Sequence, residues 1–249
     1  MILGTATWAE GPGERRALVA RLESGRLADL NRIEAVRLRK LGEGDPDRLA
    51  EALVSPSLRR VLEGGPRALA RLRQALAYAE KWDRRGTLPE ALAPRPESVG
   101  LLPCLPRPAV VRRADGGCLD RLRVTGPGGL LGAPPRPTLA LLGTLGGQAG
   151  GYCLALEDGD GVVLGGWMIP DWPEGHLELR AGPHRRRIPF GAWEGLELPP
   201  LRPGEALLLP PPRLKALPDL EPGTSLTLQS PFEILTLRLG LEALHPTVQ

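Results

Sequence analysis

The chain is poor in the side chains on which most active-site chemistry depends. Histidine occurs only at positions 176, 184 and 245, cysteine at 104, 118 and 153, and lysine at 40, 81 and 215. His176 and His245 have no Ser, Cys or Asp at an informative spacing, and three scattered histidines do not make a nucleophile–base–carboxylate triad. The cysteines lie far apart without a C-x-x-C pair, so neither a disulfide framework nor a zinc site is expected. Aromatic residues make up 4% of the 249, too few for a base-stacking surface. The formal net charge is only +3, with arginine supplying almost all of the basic side. No dense basic tract follows a phosphate backbone, and no nucleic-acid partner is expected. No apolar run reaches the ~18 residues of a membrane span, and the first residues lack a basic-then-apolar leader pattern. The expectation is a cytoplasmic protein with no membrane partner.

What the chain has instead is leucine, arginine, 32 glycines and 28 prolines, the bias of a GC-rich genome and one that fits a thermophile. The most informative stretch is 201–240, with Pro-Gly corners at Pro203-Gly204 and Pro222-Gly223. Proline pre-sets φ at the first corner of a turn and glycine accepts a positive φ at the second, so both predict type II turns opening strands. After the second corner, Leu226, Leu228, Ile234, Leu235, Leu237 and Leu239 alternate with Thr, Gln and Arg, the period of half-buried strands.

Earlier in the chain, Met1–Trp8 is a short apolar run followed by a Gly-Pro-Gly turn, and Arg15–Leu30 suits either a strand pair or a helix. Arg32–Leu41 reads as a helix closed by Gly42. Asp45-Pro46 and Ser55-Pro56 each combine a helix cap with proline at the first helical position. Gly64-Gly65 ends the second of these helices, and Pro66 opens a longer one that runs to about Trp82. The whole reads as a small helical hairpin. Six prolines between 89 and 108 make Arg84–Pro108 a linker or an extended crossing. Beyond it, short apolar runs separated by Gly, Pro and Asp clusters predict an all-β region. No repeat of 20 to 50 residues is present.

Three stretches and one short motif resemble the fumarylacetoacetate hydrolase family. Residues 28–76, from Ala28-Asp29-Leu30-Asn31 through Leu62-Glu63-Gly64-Gly65, are similar to its N-terminal region with a "DLN" strand and an "LEGG" break. Leu101–Pro108 is similar to the "LLPPVPRP" entry into its catalytic domain, and Gly165-Gly166-Trp167-Met168-Ile169 resembles "GPWI". The 201–240 stretch resembles its closing strands. The resemblance implies an α+β, mainly β fold: a small helix-containing N-terminal domain (1–95) and a mixed β-roll or sandwich domain (96–249), often dimeric. It also implies a chemistry. Family enzymes hold Mg²⁺, Mn²⁺ or Ca²⁺ with an E-x-E pair and an Asp in "GYTVAND", and use a His with a Glu as base on dioxo acids such as acylpyruvates or hydroxyheptadienedioate.

Those family positions are filled differently here. The E-x-E segment matches 136–143, which puts Arg136 and Thr138 where the carboxylates belong. The "GYTVAND" segment matches 151–157, with Glu157 in place of its Asp. The "NY-x-x-H" position is occupied by 112–117, which contains no histidine. A hard divalent cation needs several oxygen ligands, carboxylates among them. The expectation is therefore a degenerate site with no cofactor, in a catalytically inactive protein or a non-catalytic subunit. Homodimerisation or pairing with an active paralogue would then be its mode of assembly. The enzyme alternative is a hydrolase, isomerase or decarboxylase with Mg²⁺ or Mn²⁺ on a rearranged set of Glu157, Asp158 and Asp160. A third possibility is a binding or scaffold protein.

Other candidates read as structure. Glu157–Gly161 reads as a hairpin turn rather than a cation loop. Gly143–Gly151 reads as flexible loop, since it lacks a phosphate-binding signature. His184–Arg187 could bind an anion, but neighbouring basic residues on a strand point to opposite faces. Cys153 reads as a buried structural thiol, and Trp167, Trp172 and Trp193 as packing.

Overall fold

The computed structural model describes residues 1–119, 124–128, 130–131, 136–158, 161–210 and 223–239, with 130, 131, 158 and 239 described by backbone alone. The chain begins with β1 (Leu3–Glu10), β2 (Gly13–Arg21) and β3 (Leu27–Asp29), so the ambiguous stretch 15–30 forms strands. The Gly11-Pro12 corner and the alternation of Leu18 and Ala20 against Ala17 and Val19 favour that outcome over a helix, because both faces of β2 are covered. Helices α1 (Leu30–Lys40), α2 (Pro46–Leu53) and α3 (Leu58–Asp83) follow, then β4 (Gly100–Leu101). The remainder is β5 (Val111–Arg113), β6 (Cys118–Leu119), β7 (Val124–Thr125), β8 (Leu130–Leu131), β9 (Arg136–Gly143), β10 (Ala149–Asp158), β11 (Gly161–Leu164), β12 (Trp167–Met168), β13 (His176–Ala181), β14 (His184–Pro189), β15 (Ala206–Leu208), β16 (Ser225–Gln229) and β17 (Ile234–Leu239). Among the described residues the fold is mainly β with three α-helices.

The helix signals are physical. Asp29 caps α1 by accepting from the Arg32 N–H at 3.2 Å, and its other oxygen accepts from Arg15 at 2.8 Å, so this fully buried carboxylate is satisfied twice. Asp45 caps α2 through the Arg48 N–H. The Ser55-Pro56 signal falls short of the helix it announces: Ser55 closes a small turn onto the Ser57 N–H and α3 starts at Leu58. Gly65, at φ +66°, breaks α3 before Pro66, which is the two-helix reading expressed as a kink.

The sheets set the layers. One joins β12-β1-β2-β3, with β4 on β1; a second runs β6-β5-β15-β9-β10-β11-β7; a third runs β14-β13-β16-β17-β8. The second sheet is buried on both faces. Leu139, Leu141, Leu154 and Leu156 point to the third sheet, meeting Leu179, Leu228 and Leu237. Ala140, Leu142, Cys153 and Ala155 point the other way, towards Leu62 and Leu72 of α3. Double burial explains why β9 and β10 read as continuous apolar runs. Ile234, by contrast, is 62% exposed: in β17 the inward set is Leu235 and Leu237, and Ile234 opens the strand on the outer face.

The 84–108 stretch is no free linker, since Leu88, Ala93, Cys104 and Leu105 are buried in the core. Its prolines forbid a helix yet leave side chains free to pack. Core contacts run across residue 95, because β1 pairs with both β4 and β12.

The Pro203-Gly204 corner forms as expected, with the Glu205 N–H donating to the Arg202 carbonyl at 3.0 Å and Gly204 at φ +71°. Gly223 also has a positive φ (+79°), while Pro222 lies outside the described residues. An alanine at 204 would adopt a left-handed conformation and press its Cβ to 3.2 Å from Arg59 Cγ. Gly204→Ala is expected to lower stability by about 1–2 kcal/mol, read from urea denaturation midpoints; an unchanged midpoint would show that the turn relaxes freely.

Candidate functional site

Strand alternation gathers the site. On the α3-facing side of the second sheet, Val111, Ala206, Ala140 and Ala155 are core. Two residues further along their strands, the same face carries Arg113, Leu208, Thr138 and Glu157, and Arg136 lies beyond Thr138 on β9. Arg136 is paired in register with Glu157. A cavity of about 310 Å³ opens at this end, lined by Arg113 and Asp115, Arg136, Glu157 and the Leu208–Pro210 segment. Three segments far apart in sequence, those matched above to the family's base, E-x-E pair and third carboxylate, thus meet at one place.

The geometry of the charges decides what the place can do. Arg113 Nε donates to Glu157 Oε1 at 2.7 Å, with Nη2 at 2.5 Å from the same oxygen. The Glu157 side chain is 7% exposed, so burial in the apolar end of the sheet is compensated by a charge-assisted pair. Thr138 is fully buried and its Oγ1 donates to the Leu209 carbonyl at 2.6 Å, away from any ligand role. Asp115 is exposed, and its Oδ1 accepts from the Gly117 N–H in its own turn. The preceding arginine points to the opposite face, where Arg112 Nε donates to the fully buried Glu205 at 2.6 Å.

This donor set does not fit a hard divalent cation. Such an ion takes six or more oxygens, several of them carboxylate. Around the cavity two guanidinium groups flank Glu157, which is already held by one of them. Among the described residues no three His, Cys, Asp or Glu side chains converge in a ligating group. Of the rearranged set, Glu157 is in the cavity, Asp158 is described only as backbone, and Asp160 lies outside the described residues. β10 and β11 pair antiparallel up to Asp158 opposite Gly161, and the hairpin turn expected at 159–160 lies outside the described residues.

The other candidates fall elsewhere. His184–Arg187 forms β14, paired antiparallel with β13 across a tip at Gly182-Pro183. Glu178 on β13 accepts from Arg180 and, at 3.3 Å, from Arg187, which lowers the Glu178 carboxyl below its ordinary range and spends part of that basic charge. His176 is exposed at the start of β13, and His245 lies outside the described residues. The 143–151 loop is tighter than a flexible loop. Thr144 donates both its N–H and its hydroxyl to the Gln148 carbonyl, and a Cβ on Gly151 would sit 2.6 Å from the Ile169 carbonyl. Trp167 and Trp193 are buried, and Trp172 packs edge-on against Tyr152 at 4.9 Å.

Two features carry no clear sequence signal. Cys104 and Cys153, 49 positions apart, are buried neighbours; the hydrogen bond between them and their burial push the Cys153 thiol well up, so it is not a thiolate nucleophile. Glu233, at the β16–β17 turn, reaches under Gly165-Gly166 and accepts from the Gly166 N–H at 2.5 Å, and its Oε2 has no partner. A Cβ on Gly165 would lie 2.3 Å from that oxygen, which explains the glycine pair. Burial raises the Glu233 carboxyl to about 7.

No protein-family model matches the chain, and no curated protein matches it. Solved structures do. Maleylpyruvate hydrolase from Sphingobium sp. SYK-6 superposes with a TM-score of 0.59 at 14% identity over 96% of this chain and 99% of that one. The same enzyme in complex with manganese(II) and pyruvate also matches. A probable 2-hydroxyhepta-2,4-diene-1,7-dioate isomerase from Mycobacterium abscessus gives 0.54 at 14% identity, over 96% and 98%. A 2-keto-3-deoxy-D-arabinonate dehydratase complexed with magnesium and 2,5-dioxopentanoate gives 0.54 at 9%, over 96% and 99%. The fold is thus the one shared by these hydrolases, isomerases and dehydratases. No helix among the described residues is long and apolar enough to cross a membrane.

Proposed function

We propose that this protein keeps the fumarylacetoacetate hydrolase-like fold without its metal chemistry and acts as a non-catalytic member, a cytoplasmic homodimer or a subunit beside an active paralogue. One observation carries the reading: Arg113 closes on Glu157 beside Arg136 on β9, and the resemblance matches Arg136 and Thr138 to the family's paired carboxylates. A cation placed there would share the cavity with the Arg113 and Arg136 guanidinium groups, whose like charge repels it. The alternative of a dioxo-acid hydrolase with a rearranged metal site needs Glu157 released from Arg113.

Calorimetric titration with Mg²⁺ and Mn²⁺, and turnover assays on acylpyruvates and hydroxyheptadienedioate with those ions present, test the proposal. The expected result is no saturable metal binding and no turnover above the uncatalysed rate. Micromolar one-to-one binding that weakens in Glu157→Gln would overturn it and establish the rearranged site. Sedimentation of the purified chain tests the assembly; a homodimer supports self-association and a monomer leaves the heteromer as the form to seek by co-expression.

A further inference from the structure

We propose that the cavity at the end of the second sheet binds a small organic carboxylate without any metal ion, with Arg136 as the group that grips it. This deepens the preceding reading and rests on it, because a cation in the same place would repel the guanidinium. The electrostatics favour an anion at one definite point. Arg113 and Glu157 neutralise each other through contacts of 2.5–2.7 Å. Arg136, one strand away and in register with Glu157, has no carboxylate or carbonyl partner among the described residues, yet it lines the cavity. Of the two acidic side chains in the lining, Glu157 is turned to Arg113 and Asp115 accepts from the Gly117 N–H, so neither is paired with Arg136.

Shape and chemistry agree with a small acid. At about 310 Å³ the cavity is at the lower end of ligand-site sizes. Its floor is apolar, from Leu208 and Leu209, both 2% exposed or less, and from Pro210 and Ala114. A short carbon chain would lie on that floor with its carboxylate on the planar fork of Arg136, which matches two carboxylate oxygens at once. Asp115 at the rim disfavours a second anionic group on its side and so favours short acids. An arginine would then do with hydrogen bonds what a divalent ion does by chelation: fix an oxo acid in place. It supplies no Lewis acid for enolate formation.

The test is calorimetry of the full chain, in buffer containing EDTA, with acetate, pyruvate and lactate as probes. At least one acid is expected to bind saturably, one to one, at sub-millimolar concentration. Arg136→Gln should weaken that binding at least tenfold and Arg136→Lys less, since lysine keeps the charge and loses the fork. Arg185→Gln, on the distant β14 hairpin, should leave it unchanged, and thermal melts of all three variants should match the parent. No binding of any probe overturns the proposal, as does binding that Arg136→Gln leaves intact. Binding that needs Mg²⁺ or Mn²⁺ overturns it together with the non-catalytic reading. Absence of both binding and turnover sinks the carboxylate site alone and leaves that reading standing.

Discussion

Glu205→Ala is expected to cost about 3 kcal/mol of stability, the scale seen when one partner of a buried ion pair is removed. Glu205 is fully buried, and both of its oxygens are engaged: Oε1 by Arg112 Nε at 2.6 Å and Oε2 by the Arg202 N–H at 2.6 Å. Its backbone also receives the Gly143 N–H, so one residue ties β5, β9 and the Pro203-Gly204 turn together. Truncation strands the Arg202 amide and leaves Arg112, 19% exposed, with only the Pro200 carbonyl. For a chain of this size the loss is roughly 6–12 °C in Tm. Arg112→Met should be at least as damaging, because the stranded group is then a carboxylate with no solvent access. The double variant should lose less than the sum of the two, since both remove the same pair. Simple additivity, or a Glu205→Ala melt within a degree of the parent, would show that the pair contributes little beyond its own desolvation.

How much of this was legible in the sequence depended on whether the cause was local. Asp29, Asp45, Gly65-Pro66 and the Pro203-Gly204 corner act within a few residues, and their caps, kink and turn form as their chemistry dictates. The ambiguity at 15–30 was not local: both faces of β2 are buried by other strands and helices, a fact no window on β2 alone contains. The misplacement of Ile234 has the same origin, since two adjacent apolar residues cannot both point inward in a strand and only the partner strand β16 decides between them. The 84–108 stretch reads as a linker or an extended crossing because proline excludes helix, yet proline says nothing about whether Leu105 finds a core to enter, and burial of Leu105 decides for the crossing.

The site was legible as an absence and illegible as an arrangement. The residues at 136, 138, 157 and 112–117 could be assigned only by resemblance, and of these the fold brings Arg113, Ala114, Asp115, Arg136 and Glu157 to one cavity. That Arg113, rather than Arg112, takes Glu157 follows from alternation along β5 once the partner strand is known. Glu233 and Glu205 gave no warning. Each is a single acidic residue beside a turn, where a solvated carboxylate is the ordinary expectation, and burial by distant strands makes it otherwise.

Glu233 makes the stability of the fold depend on pH in a direction opposite to that of most carboxylates. Desolvation raises its folded-state titration to about 7 from an ordinary 4.5, against the two backbone amides of Gly166 and Trp167 that favour the charged form. The folded state therefore binds the proton more tightly than the unfolded chain does. Between about pH 4.5 and 7 the unfolded chain has released that proton while the folded one retains it, so stability falls as pH rises through this window and levels off above it. At ~1.4 kcal/mol per pH unit the loss approaches about 3 kcal/mol by pH 8. Glu233→Gln keeps the shape and the acceptor for Gly166 but carries no charge at any pH. It is expected to match the parent within about 1 kcal/mol at pH 5 and to exceed it by about 2–3 kcal/mol at pH 8. Urea denaturation at pH 5, 6, 7 and 8 reads this directly, with the parent's slope and the variant's flatter line as the signature. Parallel lines for the two proteins would mean that water reaches the unpartnered Oε2 and solvates the carboxylate. Fold stability would then owe nothing to its proton, and the glycine pair at 165–166 would serve only to admit the side chain.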